Sequence, residues 1–160
     1  MEDIPQRAIW GIKMDIEIYF KKVYTVAFRL TGNEKTACEL TTNAILNTAN
    51  ELDLNYVVTS HIFKITILEV FKIFLENNPK CCTRDNTVIH KKKQKNKTLI
   101  LHKALLNLEP FNRALVIWKD TLNFELSDLI TININKNELK NELSSSYRQL
   151  KDYLTKNHSW

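Results

Sequence analysis

The feature that most constrains the fold of this chain is its scarcity of turn-forming residues. Only two glycines and three prolines occur among 160 residues. A sheet-rich domain uses glycine and proline in its hairpin turns, so we expect long helices joined by few tight turns. Hydrophobic residues make up 44% of the chain, enough for real cores, and the length suits one domain or two small ones. The composition therefore predicts an all-α fold.

Helical periodicity is clear in the N-terminal half. The first predicted helix carries an apolar stripe at alternating steps of four and three residues: Ile12, Ile16, Tyr19, Val23, Val26 and Leu30. Gly32 is predicted to end this helix in a left-handed conformation, and Asn33 to cap a second helix that begins at Glu34. The inward face of the second helix is predicted to hold Ala37, Leu40, Ala44, Ile45 and Thr48. Cys38 is expected to be a small buried residue.

A third, mostly apolar helix is predicted over residues 56–76. Its many β-branched residues are also compatible with a strand, but its length without a turn signal favours a helix. The run Asn77-Asn78-Pro79 ends this module, and residues 79–97 form a polar, basic segment. Because like charges repel and extend a chain, we interpret this segment as an interdomain linker between domains at 1–78 and 98–160.

Helical patterning returns in the C-terminal half. Apolar residues recur from Leu99 to Leu108, Pro110 opens another helix, a turn is predicted at residues 120–123, and a short helix at residues 125–130. The last helix has the clearest start, because Asn135 followed by Glu138 resembles a capping box. Its predicted inward stripe consists of Leu139, Leu143, Tyr147, Leu150 and Leu154.

Several classes of protein are disfavoured by the sequence. The three cysteines do not form a disulfide framework or a zinc-binding spacing, and two glycines leave no room for a phosphate-binding loop. No nucleophile motif indicates catalysis, so we expect neither an enzyme nor a cofactor. The N-terminus does not resemble a signal peptide, and the most apolar stretch is interrupted by charges, so no membrane insertion and a cytoplasmic location are expected. A net charge of +5 points weakly toward a polyanionic partner.

Four local segments resemble bacterial RNA polymerase sigma factors of the extracytoplasmic-function type. Residues 24–32 (YTVAFRLTG) are similar to the family pattern Y-x-L-A-x-R-x-x-G, and residues 37–45 (ACELTTNAI) to the A-E-D-L-x-Q-E-x-F that follows it. In the second half, residues 101–120 resemble L-x-x-A-L-x-x-L-P-x-x-x-R-x-x-x-x-L-x-x, and residues 124–150 occupy the place of the helix-turn-helix. The resemblance spans nearly the whole chain.

The resemblance implies two helical domains, one that binds polymerase and opens promoter DNA and one that reads an upstream promoter element. It places the contact with core RNA polymerase at Glu34, Glu39, Leu40 and Asn43. It places promoter DNA near Lys64 and Lys72 of the third helix, and against the polar side of the last helix, at Lys136, Asn137, Lys140, Asn141, Ser144 and Arg148. An anti-sigma factor is a further implied partner.

Two of these surfaces also have a plainer interpretation. The polar side of the last helix could be an ordinary solvated face, and the linker lysines Lys91, Lys92 and Lys93 could either follow a DNA backbone or merely keep the linker soluble.

Three residues depart from what a DNA-binding sigma factor requires. Glu142 on the last helix carries a negative charge, which repels DNA. His61 and Leu68 replace the Trp and Asn usual in the family's DNA-melting helix. The rival hypothesis is therefore a degenerate sigma homologue that acts as an adaptor, a decoy or one half of a split factor.

Overall fold

The computed structural model describes residues 13–52, 57–78, 97–132 and 135–157, and these residues form an all-α fold. The six α-helices of this described part are α1 (Ile16–Thr31), α2 (Glu34–Leu52), α3 (Ser60–Asn77), α4 (Lys97–Leu106), α5 (Pro110–Val116) and α6 (Lys136–Asn157). A π-helical turn (Ile117–Thr121) and a 3₁₀-helix (Leu126–Ile132) lie between α5 and α6. The chain falls into two compact units that divide between Phe74 and Leu75, near the end of α3. The functional roles expected for the two domains stay predictions.

In the first unit, the ends of α1 follow from local chemistry. The Asp15 carboxylate accepts hydrogen bonds from the amides of Glu17 and Ile18, and so caps the N-terminus of α1. Gly32 ends the helix at a φ of 67°, a left-handed value that costs glycine little, and its amide donates to the Phe28 carbonyl. Both the predicted Gly32 cap and the predicted Asn33 cap are confirmed, since Asn33 Oδ1 accepts from the amide of Thr36 at 3.0 Å.

The core of the first unit lies between α1, α2 and α3. Most of the predicted inward positions are buried: Tyr19, Val23, Val26, Leu30, Ala37, Leu40, Ala44 and Thr48. The prediction that Ile16 belongs to the buried stripe is wrong, because its side chain in the first turn of α1 is 51% exposed. Ile45 is half-buried, and Ile12 lies outside the described residues. Cys38 was expected to be buried and is exposed, because the inward face of α2 is centred on its neighbours Ala37 and Thr41.

The third helix begins later than its apolar run predicts. Val58 precedes it, and the Val58 carbonyl accepts a hydrogen bond from the Met14 amide at 2.8 Å, next to an isolated antiparallel bridge between Lys13 and Thr59. Thr59 then caps α3 through its hydroxyl oxygen, which accepts from the Ile62 amide. The start predicted at Tyr56 is therefore wrong, because extended pairing occupies the backbone before Ser60; Tyr56 itself lies outside the described residues.

The second unit is built around α5, which is buried along most of its length and packs against α6. Arg113 of α5 donates to the carbonyls of Leu105, Leu106 and Leu108 at 2.9 to 3.1 Å, and so supplies a charged donor to carbonyl groups at and just after the C-terminal end of α4. Burial lowers the pKa of Arg113 to about 10, which still leaves the guanidinium charged at neutral pH.

A π-helical turn then redirects the chain from α5 toward α6. The Leu122 amide donates to the Ile117 carbonyl, and Asn123 adopts a left-handed φ of 53°. Trp118 is fully buried. Its ring packs edge to face against that of Phe124, with the ring centroids 4.9 Å apart, and its indole N–H donates to the Glu125 carbonyl at 2.9 Å. The short helix predicted at residues 125–130 is a 3₁₀-helix, displaced to Leu126–Ile132.

Candidate nucleic-acid interface

The last helix begins where the sequence predicts. Asn135 precedes α6, and its side-chain oxygen accepts a hydrogen bond from the Asn137 amide at 3.0 Å. The Asn135 cap is therefore confirmed. The first turn of α6 is exposed to solvent at Lys136, Asn137 and Glu138.

The buried side of α6 differs from the predicted stripe at two positions. Leu139, Leu143 and Leu150 are buried, but Tyr147 is 41% exposed and Leu154 is half-buried. The expected place of Tyr147 in the core is taken by Ser146, which is fully buried and donates its hydroxyl to the Glu142 carbonyl at 2.7 Å. A serine can occupy this position because its hydroxyl is satisfied within the helix.

The opposite side of α6 presents one continuous polar face. Its members are spaced so that they share a side of the helix, and all six are exposed: Lys136, Asn137, Lys140, Asn141, Ser144 and Arg148. Lys151 is exposed three residues after Arg148 and extends this face. Cationic side chains can meet phosphates, while Asn and Ser can form hydrogen bonds with base edges. We call these seven residues the polar face of α6.

The acidic residue Glu142 lies away from this face. It follows Lys140 and precedes Ser144 by two residues each, and at about 100° per residue it is nearly opposite both around the helix axis. Its side chain is half-buried. The expectation that Glu142 opposes a polyanion bound to α6 is therefore not supported by its position.

A different acidic residue approaches the polar face, and sequence reasoning missed it. Tyr147 donates its hydroxyl to Asp120 Oδ1 at 2.9 Å, across 27 residues of chain. Partial burial, together with the hydrogen bond to Asp120 and the charge of that carboxylate, raises the pKa of Tyr147 to about 12. No pattern in the sequence links these two residues, because the π-helical turn brings them together.

The third helix places its two candidate lysines differently. Lys64 is half-buried, whereas Lys72 is exposed and its Nζ lies 3.6 Å from Glu69 Oε2. Glu69 also accepts a hydrogen bond from the Asn47 side chain of α2 at 2.8 Å. Lys72 therefore forms an ion pair with Glu69, one turn earlier on α3.

The surface of α2 contains the predicted polymerase contacts, with one correction. Glu34, Glu39 and Asn43 are exposed, but Leu40 is only 6% exposed and packs into the core, as its place on the inward face of α2 requires. Leu46 is 54% exposed and lies three residues after Asn43 and seven after Glu39, on the same side of α2. The exposed side chain of Leu46 is a feature of this surface that sequence reasoning missed.

The remaining candidates fall outside the described residues. They are the linker residues Lys91, Lys92 and Lys93. Within the described parts of the chain, no group of three or more His, Cys, Asp or Glu side chains is arranged to hold a metal ion. None of the helices in these parts is long and apolar enough to cross a membrane.

These observations define an all-α protein of two helical units, whose second unit ends in a 3₁₀-helix followed by a long helix with an exposed polar face. The sequence matches no protein-family model and no curated protein. The fold is similar to that of the sigma factor RpoE from Bartonella quintana, solved in complex with the anti-sigma factor NepR. The TM-score is 0.60, over 88% of this chain and 94% of that one, at 15% sequence identity. At this identity the similarity shows a shared helical fold.

Proposed function

We propose that this protein is a sigma-like transcription initiation factor that binds core RNA polymerase and directs it to promoter DNA. The observation that carries the proposal is the exposed polar face of α6, because it combines phosphate-binding and base-reading side chains on one helix. The proposal is supported by the fold, which resembles a sigma factor across both units.

Each unit has its own task in this proposal. The exposed residues Glu34, Glu39, Asn43 and Leu46 of α2 bind the polymerase, and Lys64 and Lys72 of α3 face promoter DNA. The polar face of α6 approaches the upstream promoter element. The chain performs no chemistry of its own, since it acts by binding the open promoter more tightly than the closed one.

The proposal extends to location and regulation. A factor of this kind works in the cytoplasm, where polymerase and promoter DNA are found. RpoE was solved bound to an anti-sigma factor. We therefore include an anti-sigma protein as a partner that would withhold this chain from polymerase.

The DNA-binding half of the proposal is tested by single substitutions on α6. Lys140→Ala should weaken binding about equally on all sequences and flatten the salt dependence by roughly one unit, since one phosphate contact is lost. Asn141→Ala or Ser144→Ala should instead change which sequences are preferred, by about 1–3 kcal/mol at a base contact. Lys156→Ala is the matched control, because Lys156 is an exposed lysine on another side of the same helix. Equal effects of Lys140→Ala and Lys156→Ala would contradict the proposal.

The polymerase-binding half is tested by charge reversal on α2. Glu34→Lys combined with Glu39→Lys should weaken binding of the full chain to core polymerase, most clearly at low salt where surface charges are least screened. Glu51→Lys, on another exposed side of α2, should have little effect. Leu46→Ala should weaken binding at all salt concentrations, because its contribution is apolar. Unchanged affinity in both the Glu34/Glu39 double reversal and Leu46→Ala would place the contact elsewhere.

The second candidate function is a degenerate sigma homologue that binds polymerase as an adaptor without reading promoters. One observation favours it: His61 is exposed and Leu68 half-exposed on the outer side of α3, where the family usually has Trp and Asn. Run-off transcription with core polymerase on genomic fragments separates the two functions. An initiation factor yields discrete transcripts that depend on Lys140, whereas an adaptor binds polymerase and yields none.

A further inference from the structure

The contact between Asp120 and Tyr147 joins two distant elements of the second unit. Asp120 lies in the π-helical turn and Tyr147 in the middle of α6, and their side chains meet at 2.9 Å. Both residues are exposed. The phenol remains a hydrogen-bond donor at any physiological pH, since its pKa is raised to about 12. The contact therefore ties α6 to the turn that precedes it.

This contact also places a negative charge beside the polar face of α6. Tyr147 follows Ser144 by three residues and precedes Lys151 by four, so it neighbours both on the helix surface. Helical side chains lean toward the N-terminus of their helix, so the tyrosine ring extends toward the turn that holds Lys140 and Ser144. Its hydroxyl contacts the Asp120 carboxylate at the edge of that face.

The neighbouring charges on the same turn do not neutralise Asp120. Lys119 Nζ lies 3.9 Å from Glu125 Oε1, so these two opposite charges form a pair of their own. Glu142 is two residues removed from Lys140 and Ser144 and lies on another side of α6. Asp152, exposed and four residues after Arg148, brings one carboxylate to the C-terminal part of the polar face. Asp120 is the acidic residue that the Tyr147 contact brings to the face from outside α6.

We propose that Asp120 tunes the affinity of the polar face of α6 for nucleic-acid phosphates, and that it positions α6 through Tyr147 at the same time. The inference rests on the proposed function of α6. A carboxylate at the edge of a phosphate-binding face opposes every phosphate within about one Debye length, roughly 8 to 10 Å at moderate salt. Removing that charge, with the hydrogen bond retained, should raise affinity.

Three substitutions in the full chain distinguish the effect of the Asp120 charge from the effect of the hydrogen bond that positions α6. Asp120→Asn removes the charge but keeps a side-chain oxygen that can accept from Tyr147. Glu142→Gln is the matched control, because it removes the same charge from another side of α6. Tyr147→Phe removes the hydrogen bond and leaves the Asp120 charge in place. The probe is a fluorescently labelled DNA duplex of mixed sequence, with affinity measured by anisotropy at two salt concentrations and folding checked by circular dichroism.

Asp120→Asn should tighten DNA binding about three- to tenfold at low salt, with a smaller gain at higher salt as the charge is screened. Glu142→Gln should change affinity less than about twofold. Tyr147→Phe should weaken binding at both salt concentrations, because α6 loses its positioning contact while the repelling charge remains.

Two results would overturn the inference while leaving the proposed function intact. In the first, the wild-type chain binds DNA but Asp120→Asn binds no more tightly. In the second, Glu142→Gln tightens binding as much as Asp120→Asn. If neither the wild-type chain nor Asp120→Asn binds DNA, both the inference and the DNA-binding part of the proposed function are refuted.

Discussion

A buried hydrogen bond between α1 and α3 allows a quantitative test of the first unit. Tyr19 is 3% exposed, and its hydroxyl lies 2.7 Å from Thr66 Oγ1, which is fully buried. The Thr66 hydroxyl already donates its only proton to the Ile62 carbonyl at 2.9 Å. Tyr19 must therefore be the donor and Thr66 the acceptor.

This direction predicts unequal effects for the two single substitutions. Tyr19→Phe removes the donor and keeps the ring in edge contact with Phe63, so it should reduce the free energy of unfolding by about 1 kcal/mol. Thr66→Val removes the acceptor and leaves a buried tyrosine hydroxyl unpaired, which should cost about 1–3 kcal/mol. In the double variant both groups are apolar, so its loss should be smaller than the sum of the single losses.

The measurement is amide hydrogen exchange in α1 and α3 of the full-length chain, which reports on the first unit even if the two units unfold separately. Thr48→Val is the matched control, since Thr48 is also buried and its hydroxyl donates to the Ala44 carbonyl at 2.8 Å in the same way. If Thr66→Val costs no more than Thr48→Val, or if the Tyr19 and Thr66 effects are additive, the assigned hydrogen bond does not contribute to stability.

Three further predictions concern the caps and the tyrosines. Arg113→Ala should lower the stability of the second unit by about 2–3 kcal/mol, because three carbonyl groups lose a charged donor, and Arg113→Lys should recover only part of this in thermal unfolding. Gly32→Ala should cost about 1 kcal/mol in chemical denaturation, since alanine must adopt a φ of 67°; an unchanged midpoint would contradict the left-handed cap. Burial raises the pKa of Tyr19, and that of Tyr147 is raised to about 12 from an ordinary 10.0. Both contributions to stability are complete below pH 10 and are lost above it, that of Tyr147 as the pH rises toward 12, because the unfolded chain then releases protons that the folded chain retains. Tyr19→Phe combined with Tyr147→Phe should flatten this part of a pH–stability curve.

Much of the helical framework can be predicted from neighbouring residues. The Gly32 and Asn33 caps between α1 and α2, and the Asn135 cap of α6, depend on groups only a few residues apart. The polar face of α6 was also predictable, because helical spacing alone places its members on one side. Capping and periodicity are local, so the sequence expresses them directly.

The predictions from sequence are wrong where residues far apart in the chain determine the local structure. The start of α3 moved to Ser60 because the backbone before it pairs with Lys13 and Met14. Tyr147 fits an apolar stripe by spacing, yet it is exposed and donates its hydroxyl to Asp120, while Ser146 is buried beside it. Leu40 matches a family pattern that implies a contact with polymerase, but its side chain is buried in the core of the first unit.

The candidate site also combines features that depend on neighbouring residues with one that depends on a distant contact. Its basic and amide side chains follow from the order of residues along one helix, which requires no knowledge of the rest of the fold. Its electrostatic surroundings depend on the π-helical turn, which brings Asp120 next to Tyr147 although 27 residues separate them. Helical periodicity repeats every 3.6 residues and can be read within a short window. A contact between two helical elements depends on how both are packed, so only the tertiary structure could place that charge.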